Sequence, residues 1–138
     1  MKFPFVWFTL IFCIVSGCSD NLESEKTEIQ NYINNNGLET TDTAGVYIVV
    51  ENEGSSARPK ESSIIELTYT ARYLDEIVFD QSPINQTVKI KLSSALNGLK
   101  IGLSRFGIGG KGTIIFPSSL GYGNNPPFGV RKDEVLIY

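Results

Sequence analysis

Gly107-Ile108-Gly109-Gly110-Lys111-Gly112 carries the spacing G-x-G-x-x-G. In a dinucleotide-binding fold that pattern must follow a strand and open a helix, so that backbone amides point at phosphate. Here the order is reversed: a helical segment precedes the glycines and the β-branched run Thr113-Ile114-Ile115-Phe116 follows, so they are expected to turn the chain into a strand. A Walker loop also fails, because Gly112 rather than Ser or Thr follows Lys111. Histidine is absent from all 138 residues, which removes Ser-His-Asp and Cys-His triads, His-ligated zinc and imidazole acid–base catalysis. Nothing groups two of the carboxylates with aromatics that could stack on a sugar. The net charge of −3 lacks the basic footprint of a nucleic-acid binder. The expected site therefore uses no metal and no cofactor, and nucleic acid is not an expected partner.

The elements that would hold a site are short. Ser19 to Thr27 is polar and mostly acidic, as suits a tether. Ile29, Tyr32 and Ile33 then recur at helical spacing behind Ser24 and Glu25, and Asn35-Asn36-Gly37 supplies a left-handed stop. Val46 to Val50 reads as a strand, followed by the turn-rich stretch from Asn52 to Lys60. Ile65, Leu67, Tyr69, Ala71 and Tyr73 alternate with polar residues, which predicts one strand with a core face and a wet face. Ile77-Val78-Phe79, Val88 to Leu92, Thr113 to Phe116 and Glu134 to Tyr138 repeat the strand signature, and Ala95 to Leu103 interrupts them as a short helix. This pattern predicts an α+β fold, an antiparallel sheet with a helix on one face, in a chain long enough for one domain.

The N-terminus has a different character. Lys2 precedes the apolar run Val6 to Val15, which is too short to span a bilayer and has the form of a secretory signal. The ending Val15-Ser16-Gly17-Cys18 resembles the bacterial lipobox. That resemblance implies cleavage before Cys18 and lipid on its thiol, hence a membrane anchor. Ser19 rather than Asp after Cys18 favours the outer membrane by the same resemblance. Cys13 would leave with the signal, so no thiol remains for a disulfide. The expected organisation is a signal peptide over 1–17, a lipidated tether and short helix over 18–44, and a folded domain over 45–138.

Tyr69, Val78-Phe79-Asp80, Gly98, Gly102 and Phe116-Pro117-Ser118-Ser119-Leu120-Gly121-Tyr122-Gly123 stand in an order and spacing that resembles the FKBP-type peptidyl-prolyl isomerases, over roughly Gly45 to Tyr138. The resemblance implies an FKBP-like antiparallel sheet wrapped on one short helix. It also implies a pocket of Tyr69, Phe79, Asp80, Val88, Ala95, Leu96, Leu99, Tyr122, Val130 and Tyr138. In that pocket Tyr122 and the Leu96 N–H would bond substrate carbonyls flanking the prolyl bond. Phe79, Tyr138 and Leu99 would surround the proline ring, and Asp80 would orient its neighbours. The implied partner is a proline-containing peptide or unfolded protein, bound by a monomer. Some proteins with a lipobox, a helix and one such domain belong to gliding-motility machinery, so that role is a further expectation.

The chain departs from the family pattern in several places. Leu99 stands where the family usually has a tryptophan floor, and Trp7, the one tryptophan, lies in the signal. Val88 replaces a usual aromatic, Ala95 a usual valine, and Glu76 a usual turn glycine. These changes predict reduced activity, with a non-catalytic peptide binder as the alternative function. The chain ends at Tyr138, inside what would be the last strand, and this predicts an unpaired sheet edge.

Overall fold

The computed structural model describes residues 19–138. The expected signal peptide, over 1–17, and Cys18 therefore lie outside the described residues. Helix α1 (Ser19–Asn35) is followed by strands β1 (Thr41–Thr43), β2 (Val46–Asn52), β3 (Ile64–Leu67), β4 (Thr70–Arg72), β5 (Val78–Gln81) and β6 (Val88–Lys91). Helix α2 (Asn97–Leu103), β7 (Lys111–Phe116) and β8 (Leu136–Ile137) complete the order, with single 3-10 turns at Leu92–Ser94 and Ser118–Leu120.

The stretch from Ser19 to Thr27, expected as a tether, forms the first half of α1. The reason is one buried stripe: Glu25, Ile29 and Ile33 sit four residues apart and face inward, with Leu22 and Tyr32 half-buried beside them. The helix stops where the asparagines and glycine predicted. Gly37 takes φ +59°, and the Leu38 N–H donates back to the Ile33 carbonyl at 3.0 Å. Ala44 and Gly45 then both adopt positive φ (52° and 80°). They make a two-residue hairpin of the primed type that pairs Thr43 with Val46. Strand β1, which precedes residue 45, is thereby hydrogen-bonded to β2.

Six strands form one sheet in the order β1-β2-β7-β8-β4-β5, and β3 and β6 form a separate antiparallel pair. The alternating stretch from Ile65 to Tyr73, expected as a single strand, divides between the two sheets. β3 pairs with β6, whereas β4 pairs with β5 and β8. The break falls at Thr68-Tyr69, where the Ser82 hydroxyl accepts the Tyr69 N–H at 3.1 Å in place of a ladder carbonyl. The inward-facing alternation of Ile65, Leu67, Tyr69, Ala71 and Tyr73 survives the change of partner.

The sheet is covered on both faces, where the sequence predicted a helix on one. Val46, Ile48, Ile114, Phe116 and Leu136 point to the α2 side. Their neighbours in sequence, Tyr47, Ile115, Val135 and Ile137, pack against Ile29 and Ile33 of α1. On the α2 side the helix approaches β7 through glycine: a Cβ on Gly98 would lie 2.2 Å from Phe116 Cγ, and one on Gly102 would lie 2.4 Å from Ile114 Cγ2. The last strand is also placed differently from expectation. β8 is only two residues long but lies between β7 and β4, pairing Ile137 with both Ile115 and Arg72. It is an interior strand, and the Tyr138 N–H and carbonyl continue the ladder to Ile114 at 2.9 and 2.8 Å.

Candidate active site

Tyr69, Asp80, Ala95, Leu96, Leu99, Tyr122 and Tyr138 line one open cleft of about 1660 Å³ between the sheet, α2 and the loops. Each element contributes a different kind of group. β4 and β5 are antiparallel and place Tyr69, just before β4, within reach of Asp80. The Tyr69 hydroxyl donates to Asp80 Oδ2 at 2.7 Å, and Asp80 Oδ1 accepts the Gln81 N–H at 2.9 Å. Both carboxylate oxygens are thus committed, which holds Asp80 in one orientation. Burial first, and the bond to Asp80 second, push the Tyr69 phenol up to about 12.

The cleft wall is aromatic. Tyr138 stacks on Phe116 at 5.9 Å, meets Phe79 edge-on at 6.2 Å and lies 5.9 Å from Tyr69 between ring centroids. Edge-on and offset contacts of this kind are favoured by the ring quadrupoles. Burial, then the facing Tyr122 hydroxyl, drive the Tyr138 phenol far above its ordinary range. Phe79 is also stacked on Tyr73 at 4.6 Å. Tyr73 in turn accepts the Arg131 N–H at 2.9 Å and carries the Arg131 guanidinium over its ring at 4.5 Å. Arg131 is itself anchored to Asp75 at 2.7 Å, so Tyr73, Asp75 and Arg131 buttress Phe79 from behind.

Leu96 is the residue just ahead of α2. Its backbone is extended (φ −56°, ψ 148°), and its carbonyl accepts the Lys100 N–H at 2.9 Å. Among the described residues its own N–H meets no acceptor, which leaves a donor at the cleft for a ligand carbonyl. Ala95, Leu96 and Leu99 form the α2 side of the cleft, and Leu103 and Phe106 extend it as apolar surface.

The structure brings most of the sequence-predicted pocket together and leaves some of it out. Phe79 and Val130 pack against the same core as Tyr138 without lining the cleft, so they support the wall from the second layer. Val88 does neither: it sits at the start of β6, paired with Leu67, and is absent from both the cleft and the core around it. Tyr73 and Arg131 were not anticipated, and the only signal for Tyr73 was its place on the apolar face of the alternation. No group of His, Cys, Asp and Glu able to hold a metal occurs among the described residues. Gly107 to Gly112 forms a turn into β7, with the Gly107 N–H donating to the Glu53 carbonyl at 2.8 Å.

The sequence profile of FKBP-type peptidyl-prolyl cis-trans isomerases matches residues 55–138. The chain belongs to this family. FkpA of Escherichia coli strain K12, an FKBP-type isomerase by name, is 27% identical over 87% of the chain. FkpA of Aeromonas hydrophila is 27% identical over 74%. The chain spans less than half of either relative, 44% and 38% of their lengths. Among solved structures, a peptidyl-prolyl isomerase of Pseudomonas syringae superposes with a TM-score of 0.73 at 22% identity, covering 88% of this chain and 90% of that one. Escherichia coli FkpA gives 0.72 at 22% identity, covering 86% and 58%. At these identities the superpositions show the fold, and the fold is that of the FKBP-type isomerases.

Proposed function

We propose that the chain is a peptidyl-prolyl cis-trans isomerase that binds the twisted prolyl amide in this cleft and assists folding of exported proteins. The observation that carries the reading is the gathering of Tyr69, Asp80, Leu96, Leu99, Tyr122 and Tyr138 around one cleft, beside the aromatic contacts of Tyr138 with Phe116, Phe79 and Tyr69. Amide resonance separates charge and sets a rotation barrier of about 18–20 kcal/mol. The twisted transition state has lost much of that polarity, so an apolar wall favours it over the planar ground state. About 5.5 kcal/mol of such selective stabilisation accelerates rotation roughly ten-thousand-fold. The Tyr122 hydroxyl and the Leu96 N–H would fix the carbonyls on either side of the bond, while Tyr138 and Leu99 enclose the ring and Phe79 backs Tyr138 from the second layer. Asp80 acts through Tyr69, whose hydroxyl it holds. No proton needs to be transferred, which suits a chain without histidine.

Anchoring at Cys18 belongs to the same proposal. It is supported by the lipobox-like ending Val15-Ser16-Gly17-Cys18. A lipidated Cys18 would set the domain against the membrane through one packed helix of about 25 Å rather than through a flexible tether. No helix among the described residues is long and apolar enough to cross a membrane. Labelled palmitate should enter the chain in cells and should fail to enter Cys18→Ser. An outer-membrane location and a place in gliding machinery remain proposals on the same footing.

The catalytic reading is tested by isomerisation of a proline tetrapeptide with the full chain in detergent micelles. Acceleration by the parent and at least a tenfold loss in Tyr122→Phe support it. Folded parent that leaves the rate at its uncatalysed value, for several residues preceding proline, points instead to a peptide-binding protein on the same fold.

A further inference from the structure

Glu25 is an acidic residue on the apolar stripe of α1, only 5% exposed. Burying a carboxylate is costly unless hydrogen bonds replace its water, and both oxygens are in fact engaged. Oε2 accepts the Ser118 backbone N–H at 2.6 Å and Oε1 accepts the Ser118 hydroxyl at 2.6 Å. Ser118 is equally buried and is the hub of the loop between β7 and β8. Its carbonyl accepts the Gly121 N–H at 2.8 Å and the Gly123 N–H at 2.9 Å. Those two amides flank Tyr122 on either side. Gly123 is tied in turn to the segment before β8, its carbonyl accepting the Asp133 N–H at 2.9 Å.

We propose that Glu25 is a positioning residue of the isomerase site, its carboxylate holding Ser118 so that the loop presents Tyr122 to the cleft. The inference rests on the reading of Tyr122 as a substrate-contacting group. It assigns a role in the site to α1, which lies outside the residues matched by the family profile. Glutamate suits the task because one planar group must satisfy a backbone and a side-chain donor of a single residue, and bonds to an ionised acceptor are the stronger kind. Glutamine keeps the shape and one acceptor, and the serine hydroxyl can turn to accept from its amide. Alanine removes both bonds and leaves two buried donors unpaired.

The test uses the full chain in micelles with Glu25→Ala, Glu25→Gln, Ile29→Val as a same-helix control in the cluster of Ile115, Val135 and Ile137, Tyr122→Phe, and the Glu25→Ala/Tyr122→Phe double variant. Tetrapeptide isomerisation and amide exchange at Gly121 and Gly123 are read side by side. Glu25→Ala should lower kcat/KM about tenfold, Glu25→Gln should restore it to within about threefold, and Ile29→Val should match the parent. In the Tyr122→Phe background Glu25→Ala should cost little more, because both changes remove the same contribution. Exchange at Gly121 and Gly123 should rise about tenfold in Glu25→Ala while Val49 and Thr113, paired in the β2–β7 ladder, stay protected. Equal losses in Glu25→Ala and Ile29→Val, or fully additive losses in the double variant, would show that Glu25 only docks the helix. An inactive parent overturns the isomerase reading, and the exchange data then decide alone: unchanged protection at Gly121 and Gly123 overturns the positioning claim.

Discussion

The Tyr69–Asp80 pair combines an exposed carboxylate with a half-buried phenol whose ionisation is pushed up to about 12. Removing the acceptor in Asp80→Val strands the Tyr69 hydroxyl, and kcat/KM should fall about tenfold, equivalent to about 1.4 kcal/mol. Titrating the phenol absorbance of the parent and of Asp80→Val should show the Tyr69 midpoint moving from about 12 back toward its ordinary value of 10.0. The sign for stability follows. The unfolded phenol ionises first, so the contribution of Tyr69 is complete below pH 10 and is lost as pH rises from 10.0 to about 12. Tyr138, raised by burial, acts in the same direction. Urea midpoints measured across that range should decline, and a flat profile would contradict the assignment. At Leu99 the cleft has a half-buried leucine on its α2 wall. Leu99→Trp enlarges the apolar surface against the proline ring and should raise kcat/KM several-fold in the tetrapeptide assay.

At the scale of elements, α2 is set by two glycines four residues apart. Gly98→Ala and Gly102→Ala gain helix propensity worth up to about 1 kcal/mol. Their new methyls, however, would meet Phe116 and Ile114 at 2.2–2.4 Å. Each should lose about 2–3 kcal/mol net in urea unfolding, and because α2 carries Leu99 and begins just after Leu96, activity should fall with it. Gly109→Ala is the contrast: its φ of +80° is strained for alanine but its Cβ meets nothing within 4 Å, so the cost should stay near about 1 kcal/mol. Most of these elements were legible as strings of residues. The runs at Val46, Thr113 and Glu134 became β2, β7 and β8, and Asn35-Asn36-Gly37 did end a helix. The division of Ile65–Tyr73 was not legible, since period-two alternation persists through it and the change of pairing falls where Ser82, just past the end of β5, accepts the Tyr69 N–H. Glu76 shows the same limit. It sits at φ +66° where glycine would be unstrained, but its carboxylate accepts the Tyr32 hydroxyl at 2.6 Å and lies 2.7 Å from Arg72 Nε.

Over the whole molecule, α1 converts a one-sided sheet into a sandwiched one. Ile29 is fully buried against Ile115, Val135 and Ile137, so Ile29→Ala should cost about 2–5 kcal/mol of unfolding free energy by urea titration. A loss below about 1 kcal/mol would mean that α1 is not part of the cooperative unit.

The sequence by itself determined the α+β class, the family resemblance and the absence of histidine. These depend on residue type, order and short-range periodicity, which are local quantities. The unbroken apolar runs Ile114-Ile115-Phe116 and Val135-Leu136-Ile137, which bury side chains on both sides of a strand, carry a signal of the second covered face that the expectation of a helix on one face does not use. Only the tertiary structure decided what covers that face, that β8 lies inside the sheet, that Val88 stands away from the cleft, and that Glu25 serves a loop 93 residues away. Each of these is a contact between residues far apart in the chain. A spacing rule carries no information about such contacts, because which partner meets a buried donor is settled when the elements pack.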